Sequence, residues 1–119
     1  MPARRPSGRP PFKPRFLVLV HHRREQAWLD LPARVGAKSA DQFWDHVALN
    51  PGRPPEVNSS ALLRGKAGQP IAPGFSRTIH YEISGAGRID YQFNPRWIAR
   101  KGGDPHAVVI VIRVALGSH

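Results

Sequence analysis

The segment LLRGKAGQPIAPGFSRTIHYEISGAGRIDYQFN, residues 62–94, decides the fold of this chain. It contains two stretches of alternating pattern, residues 76–83 and 88–93, joined by a glycine-rich turn at residues 84–87. Successive side chains of a strand point to opposite faces, so the pattern predicts a β-hairpin. In the second strand one face would be core and the other open, with Ile89, Tyr91 and Phe93 on the first and Arg88, Asp90 and Gln92 on the second.

The flanking sequence adds strands and helices around this hairpin. Residues 15–22 and 107–116 are rich in β-branched residues and predict one strand each. Helical spacing predicts a first helix from Arg23 with a break near Pro32, and a second over residues 41–49 with Ser39 as its N-cap. We therefore expect an α+β fold in which two N-terminal helices pack on a mainly antiparallel four-stranded sheet, in the order β-α-α-β-β-β.

Chain length and local composition predict the domain organisation. The 119 residues are enough for one modest core. Residues 1–14 are rich in proline and arginine and contain no acidic residue, a composition that favours extended, solvated chain. We expect a disordered basic tail at residues 1–14 and a single domain at residues 15–119.

Charge and composition narrow the classes of partner. The formal net charge is +10 and the pI is about 11.5, which favours nucleic acid or an acidic protein. The chain has no cysteine, so disulfides and thiolate metal sites are excluded. Its apolar runs are much shorter than the roughly 20 residues that span a bilayer. We expect a cytoplasmic protein with no membrane partner.

Several short motifs, taken together and in their order along the chain, resemble the RelE/ParE superfamily of toxins from bacterial type II toxin-antitoxin systems. They are the aromatic helix at residues 41–49, the loop sequence LLRGK at residues 62–66, and the strand sequences HYEI and GRIDYQF. The resemblance covers residues 16–119. It implies either an endoribonuclease that cuts translated mRNA on the ribosome or an inhibitor of DNA gyrase, and the first fits this sequence better.

The resemblance also implies site residues for RNA cleavage without a metal or other cofactor. Such cleavage needs a deprotonated 2′-hydroxyl, a stabilised phosphorane and a protonated leaving oxygen. Arg64, Lys66 and Arg77 lie where nuclease members carry phosphate-binding cations, and arginine suits that role because its fork matches phosphate oxygens. His119 is the expected general acid or base. The predicted catalytic set is Arg64, Lys66, Arg77 and His119.

Four further residues are candidates for substrate binding: Arg88, Tyr81, Tyr91 and Arg113. Arg88 and Tyr91 also have a structural alternative. Arg88 could instead pair with Asp90 or Glu82 across the strands. The two tyrosines could stack on a base, although Tyr91 shares its alternation with core residues. No histidine pair has the spacing of a metal site, so we expect none.

Three functions are open from the sequence. The first is an mRNA endoribonuclease that works on the ribosome and is silenced by an acidic antitoxin protein. The second is a gyrase-inhibiting toxin, which needs no acid-base residue. The third is a non-enzymatic basic module that binds nucleic acid, whose affinity would fall steeply with salt because phosphate contacts release counterions.

Overall fold

The predicted hairpin forms the centre of the sheet. The computed structural model describes residues 2–55, 58–85 and 87–116. Strands β3 (Ile79–Glu82) and β4 (Arg88–Trp97) pair antiparallel, with Ile79 opposite Tyr91 and Glu82 opposite Arg88. The alternation therefore predicted the hairpin and the division into an apolar and a polar face correctly. The polar face is not open along its length, because Asp90 and Gln92 are buried.

The described residues form a five-stranded mixed sheet in the order β1-β5-β4-β3-β2. Strand β1 (Leu17–Val20) is parallel to β5 (His106–Ala115), and the other neighbouring pairs are antiparallel. The α+β class is confirmed, whereas the expected count of four strands is wrong. The additional strand is β2 (Ser59–Leu62), which pairs with β3 at one edge of the sheet.

The helical layer is divided into three segments within the described residues. These are α1 (Glu25–Leu29), α2 (Leu31–Val35) and α3 (Ala37–Leu49). The break expected near Pro32 lies at Asp30, and Pro32 stands in the first turn of α2, where its missing N–H costs nothing. Helix α3 begins directly after Gly36, so Ser39 lies inside the helix and is not its N-cap. No helix of the described residues is long and apolar enough to cross a membrane.

The core lies between these helices and one face of the sheet. Phe43 of α3 is fully buried and contacts Tyr81 and Tyr91 edge-on, with ring centroids 4.9 and 5.9 Å apart. Such aromatic contacts add about 0.5–1.5 kcal/mol each beyond the burial of apolar area. Trp28 packs on the other side of Phe43. These three α-helices therefore cover the face of the sheet that carries Ile89 and Tyr91, whereas the opposite face contacts the 3-10 helix Lys66–Gly68 through the hydrogen bond from Thr78 Oγ1 to Ala67 O.

The amino-terminal segment packs against α3 and β1, in contrast to the disordered tail that its composition predicts. The backbone of Ala3 accepts a hydrogen bond from Trp44 Nε1 and donates one to Val18 O, each 2.8 Å long. Arg5 forms a two-pronged ion pair with Asp45 at 2.7 and 3.1 Å. These contacts join residues about 15–40 positions apart in sequence, so local composition carries no sign of them.

Candidate active site

The face of the sheet that points away from the helices carries an array of polar and charged side chains, which we call the polar face. Its central row places His80 of β3 opposite Asp90 of β4, and Asp90 opposite Arg113 of β5. The next row places Glu82 opposite Arg88. Opposite residues in antiparallel strands have Cα atoms about 4.5–5.5 Å apart, so these side chains share one small area. The polar face comprises Thr78, His80, Glu82, Arg88, Asp90, Gln92 and Arg113.

The closest contact on the polar face joins His80 and Asp90. The His80 Nδ1 to Asp90 Oδ1 distance is 2.5 Å, and the two side chains are 29% and 11% exposed. A carboxylate only accepts hydrogen bonds, so the proton between them belongs to Nδ1. Nε2 is then the ring nitrogen that can take a proton from another molecule. A histidine oriented by a carboxylate is the arrangement that general acid-base catalysis uses.

Two arginines lie beside this pair. Arg88 Nη2 is 3.6 Å from Glu82 Oε1, a long and partly exposed contact of small energetic weight. Arg88 Nη1 is buried and has no hydrogen-bond partner among the described residues, whereas a third of the Arg88 side chain is exposed and can meet an anion. Arg113 is exposed and lies directly across from Asp90. The polar face can therefore offer a proton acceptor and two guanidinium groups to one phosphodiester.

A β-bulge shapes the strand on which Arg113 stands. Asp90 pairs with Arg113, but its neighbour Tyr91 pairs with Val111, so Ile112 is an extra residue in β5. The carbonyl of Ile112 accepts a hydrogen bond of 3.1 Å from Arg24 Nε. Bulges change the direction of a strand and are enriched next to active sites. Here the bulge puts Arg113 on the polar face although Val111 is in the core.

The loop between β2 and β3, residues 63–78, is fastened to the polar face by Gln92. This buried side chain donates to Gln69 O at 2.8 Å and to Thr78 Oγ1 at 3.0 Å, and accepts from Ile71 N at 2.9 Å. Gln92 is two residues from Asp90 along β4, which corresponds to about 7 Å. The 63–78 loop is therefore held next to the His80–Asp90 pair.

The three predicted phosphate-binding cations all lie on this loop. Arg64 and Lys66 are exposed. Arg77 is partly buried and donates from Nε to Leu63 O at 3.1 Å and from Nη2 to Gly65 O at 2.7 Å. Its guanidinium thus holds the backbone on which Arg64 and Lys66 stand. Arg77 therefore anchors the loop. The exposed side chains of Arg64 and Lys66 remain available to a phosphate backbone.

The two predicted base-stacking tyrosines are core residues, so their assignment to substrate binding is wrong. Tyr81 and Tyr91 are both fully buried against α3. Asn58 Nδ2 donates to the Tyr81 hydroxyl at 3.2 Å, and the Tyr91 hydroxyl donates to Pro51 O at 2.5 Å. Burial raises the pKa of both phenols. Neither ring has a face for a nucleobase.

The remaining predicted residues have different outcomes. Arg88 and Arg113 do lie together on the polar face. His119 lies outside the described residues, so its part stays a prediction. No group of three or more metal-binding side chains occurs in the described part of the chain.

His80 and Asp90 were not singled out as a pair by the sequence. The signal that could have found them is the hairpin itself, because β3 and β4 pair symmetrically about Gly85. That symmetry puts His80 opposite Asp90.

Comparison of the chain with protein-family models, with curated proteins and with solved structures finds no match. The functional argument therefore depends on the residues and geometry of the polar face.

Proposed function

We propose that this protein is a RelE-like toxin that cleaves translated mRNA on the ribosome, without a metal ion, by attack of a 2′-hydroxyl. The observation that carries the proposal is the His80–Asp90 pair, which stands beside Arg88 and Arg113 on a face that the three α-helices leave uncovered. The net charge of +10 supports a polyanionic substrate. The helix-covered sheet agrees with the α+β architecture that the resemblance implies.

The proposed reaction has three parts. His80 Nε2 takes the proton of the 2′-hydroxyl, and O2′ then attacks the adjacent phosphorus. Arg88 and Arg113 stabilise the negative charge of the phosphorane, because fixed guanidinium groups favour the state in which charge is greatest. The bond from phosphorus to O5′ breaks, which leaves a 2′,3′-cyclic phosphate and a 5′-hydroxyl.

The leaving O5′ needs a proton from a second group. His119 is the expected donor from the sequence, and His80 carries the proton taken from O2′. Asp90 accepts the hydrogen bond from Nδ1 and so orients the His80 ring. Arg64 and Lys66 would contact flanking phosphates from the 63–78 loop. In the cell, an acidic antitoxin would silence the enzyme by covering these cations.

Induction of the chain in bacteria tests this proposal. Growth and the 5′ ends of translated mRNAs would be compared for the wild type, His80→Ala, Asp90→Asn and His119→Ala. General acid-base groups contribute about 10²–10⁴-fold to rate, so His80→Ala is expected to abolish detectable cuts. His106→Ala is the matched control, because His106 is an exposed histidine at the start of β5.

The outcomes separate the candidate functions. Codon-phased cuts that disappear in His80→Ala support the proposal. Growth arrest without cuts would instead indicate a gyrase inhibitor. No arrest and no cuts would leave a basic nucleic-acid-binding module, and unchanged cuts in His80→Ala would show that the polar face is not the active site.

A further inference from the structure

A second concave surface lies at the far end of β4, where the strand leaves the sheet. It is an open groove of about 460 Å³ lined by the 73–74 segment of the 63–78 loop and by residues 94–98. The Trp97 ring lines it and also packs on buried Phe75, with centroids 5.1 Å apart. Ile98, also in the lining, is 48% exposed.

The local backbone builds this groove. Asn94 pairs with Val108 and Trp97 with His106, so β4 has one more residue than β5 between these pairs. Asn94 Oδ1 accepts a hydrogen bond of 2.9 Å from Arg96 N, which stabilises the bulge. The bulge turns the end of the strand and places the Trp97 ring and Arg96 in one lining.

A close contact fixes the opposite wall. Gly74 has φ +90°, and a Cβ at this position would be 2.8 Å from Asn94 Nδ2. The loop can approach Asn94 only because residue 74 is glycine.

The charge around the groove selects the class of ligand. Arg96 lines it, and Arg100 and Lys101 follow in the exposed β4–β5 connection. Asp104 is the acidic residue of this segment, so cations outnumber carboxylates there by three to one. An aromatic ring with an arginine in the same lining suits a nucleobase and its phosphate.

We propose that this groove binds one unpaired base of a single-stranded RNA, with Trp97 stacked on the base and Arg96 contacting its phosphate. The proposal rests on the proposed ribonuclease function, because it makes the groove a subsite for the RNA that crosses the polar face. From Asp90 to Trp97 is about 23 Å along β4, a span of a few nucleotides. The groove would therefore hold the RNA at a position removed from the bond that is cut.

Intrinsic tryptophan fluorescence gives a direct test. Trp28 and Trp44 are buried, with 4% and 6% exposed surface, so quenching by added RNA would report on Trp97. The probe is a 2′-O-methylated single-stranded RNA of about ten nucleotides, which cannot be cleaved because its 2′-oxygens are blocked. Stacking on Trp97 is expected to quench the emission. A duplex of the same sequence is expected to leave it unchanged, because its bases are already paired and stacked.

Variants of the groove make the test specific. Both Trp97 variants lack the reporting ring, so their affinities are measured by the fluorescence anisotropy of end-labelled RNA. Trp97→Ala is expected to weaken binding of the RNA at least about fivefold, and Trp97→Tyr should retain most of the affinity because it keeps an aromatic face. Arg96→Gln should reduce the slope of log affinity against log salt concentration by about one. Arg34→Gln is the matched control, because Arg34 is exposed on α2 in the layer covering the opposite face of the sheet, and it should leave the slope unchanged.

The outcomes separate this proposal from the nuclease proposal. Equal affinity for the wild type and Trp97→Ala, or quenching by the duplex as strong as by the single strand, would overturn the subsite. Cleavage of mRNA without Trp97 quenching would also overturn it, and the nuclease function would stand. Quenching by the single strand, together with weaker binding of labelled RNA by Trp97→Ala, in a protein that cuts no mRNA, would support the groove and refute the nuclease.

Discussion

The replacement Gln92→Leu tests how the 63–78 loop is held on the polar face. Leucine keeps most of the buried volume but removes the three hydrogen bonds to Gln69 O, Thr78 Oγ1 and Ile71 N. An orphaned buried polar group costs about 1–3 kcal/mol. Thr78 is 4% exposed; its Oγ1 loses the bond that it accepts from Gln92 but keeps the bond of 3.3 Å that it donates to Ala67 O, and residues 69 and 71 are exposed and could turn toward water. We expect a loss of about 1–2 kcal/mol in the free energy of unfolding.

Urea denaturation with a matched glutamine variant measures this loss. Gln26→Leu is the control, because Gln26 is exposed on α1 and donates one hydrogen bond of 2.9 Å to Asp30, four residues on. Such a pair contributes about 0.2–0.5 kcal/mol. Hydrogen exchange at the Ile71 amide provides a second reading, and it should become much faster in Gln92→Leu. A loss below about 0.5 kcal/mol with unchanged exchange at Ile71 would refute this account of the loop.

Two further predictions concern the core and the groove. Burial raises the pKa of Tyr91, so the unfolded chain releases this proton from about pH 10 upward while the folded chain keeps it. Wild-type stability should therefore fall as pH rises above 10, and Tyr91→Phe, which also loses the bond to Pro51 O, should show a shallower fall in urea titrations at several pH values. Gly74→Ala and Gly102→Ala both place alanine at positive φ, at a cost of about 1 kcal/mol, but only the first meets Asn94. The urea midpoint should drop further for Gly74→Ala, and equal midpoints would contradict the close approach.

The sheet centre could be predicted because its residues report on one local property, the alternation of buried and polar side chains. Ile89 and Tyr91 are buried as the pattern indicates, and Phe43 of the predicted aromatic helix is buried as well. The edges could not be predicted in this way. Strand β2 (Ser59–Leu62) has mostly exposed side chains, so no alternation marks it, and its pairing is made by backbone hydrogen bonds.

The amino-terminal segment shows a second reason why sequence patterns fall short. Its proline and arginine content predicts solvated chain. Arg5 instead meets Asp45, and the Phe12 ring lies 6.2 Å from that of Trp44. These partners are distant in sequence, and only the fold brings them close enough to offset the entropy of ordering the segment.

The candidate site was predicted in part for the same reason. Arg88 follows from strand alternation and lies on the polar face, whereas Arg113 lies there only because of the bulge at Ile112, which the sequence pattern does not show. The His80–Asp90 pair depends on the register between β3 and β4. If that register shifted by one residue, His80 and Asp90 would no longer lie opposite each other on the same face. The turn pattern alone does not choose between these registers, whereas the packing of Tyr81 and Tyr91 on Phe43 does.

The chemistry of the cut ends tests the central claim most directly. Purified protein would be added to ribosomes that carry a defined mRNA, and the ends of the fragments would be analysed for the wild type, His80→Ala and the His106→Ala control. Attack by the 2′-hydroxyl predicts a 5′-hydroxyl on one fragment and a 2′,3′-cyclic phosphate on the other, with no fragments from His80→Ala. Fragments with 5′-phosphate ends, or undiminished cleavage by His80→Ala, would contradict the assignment of the polar face as a metal-independent ribonuclease site.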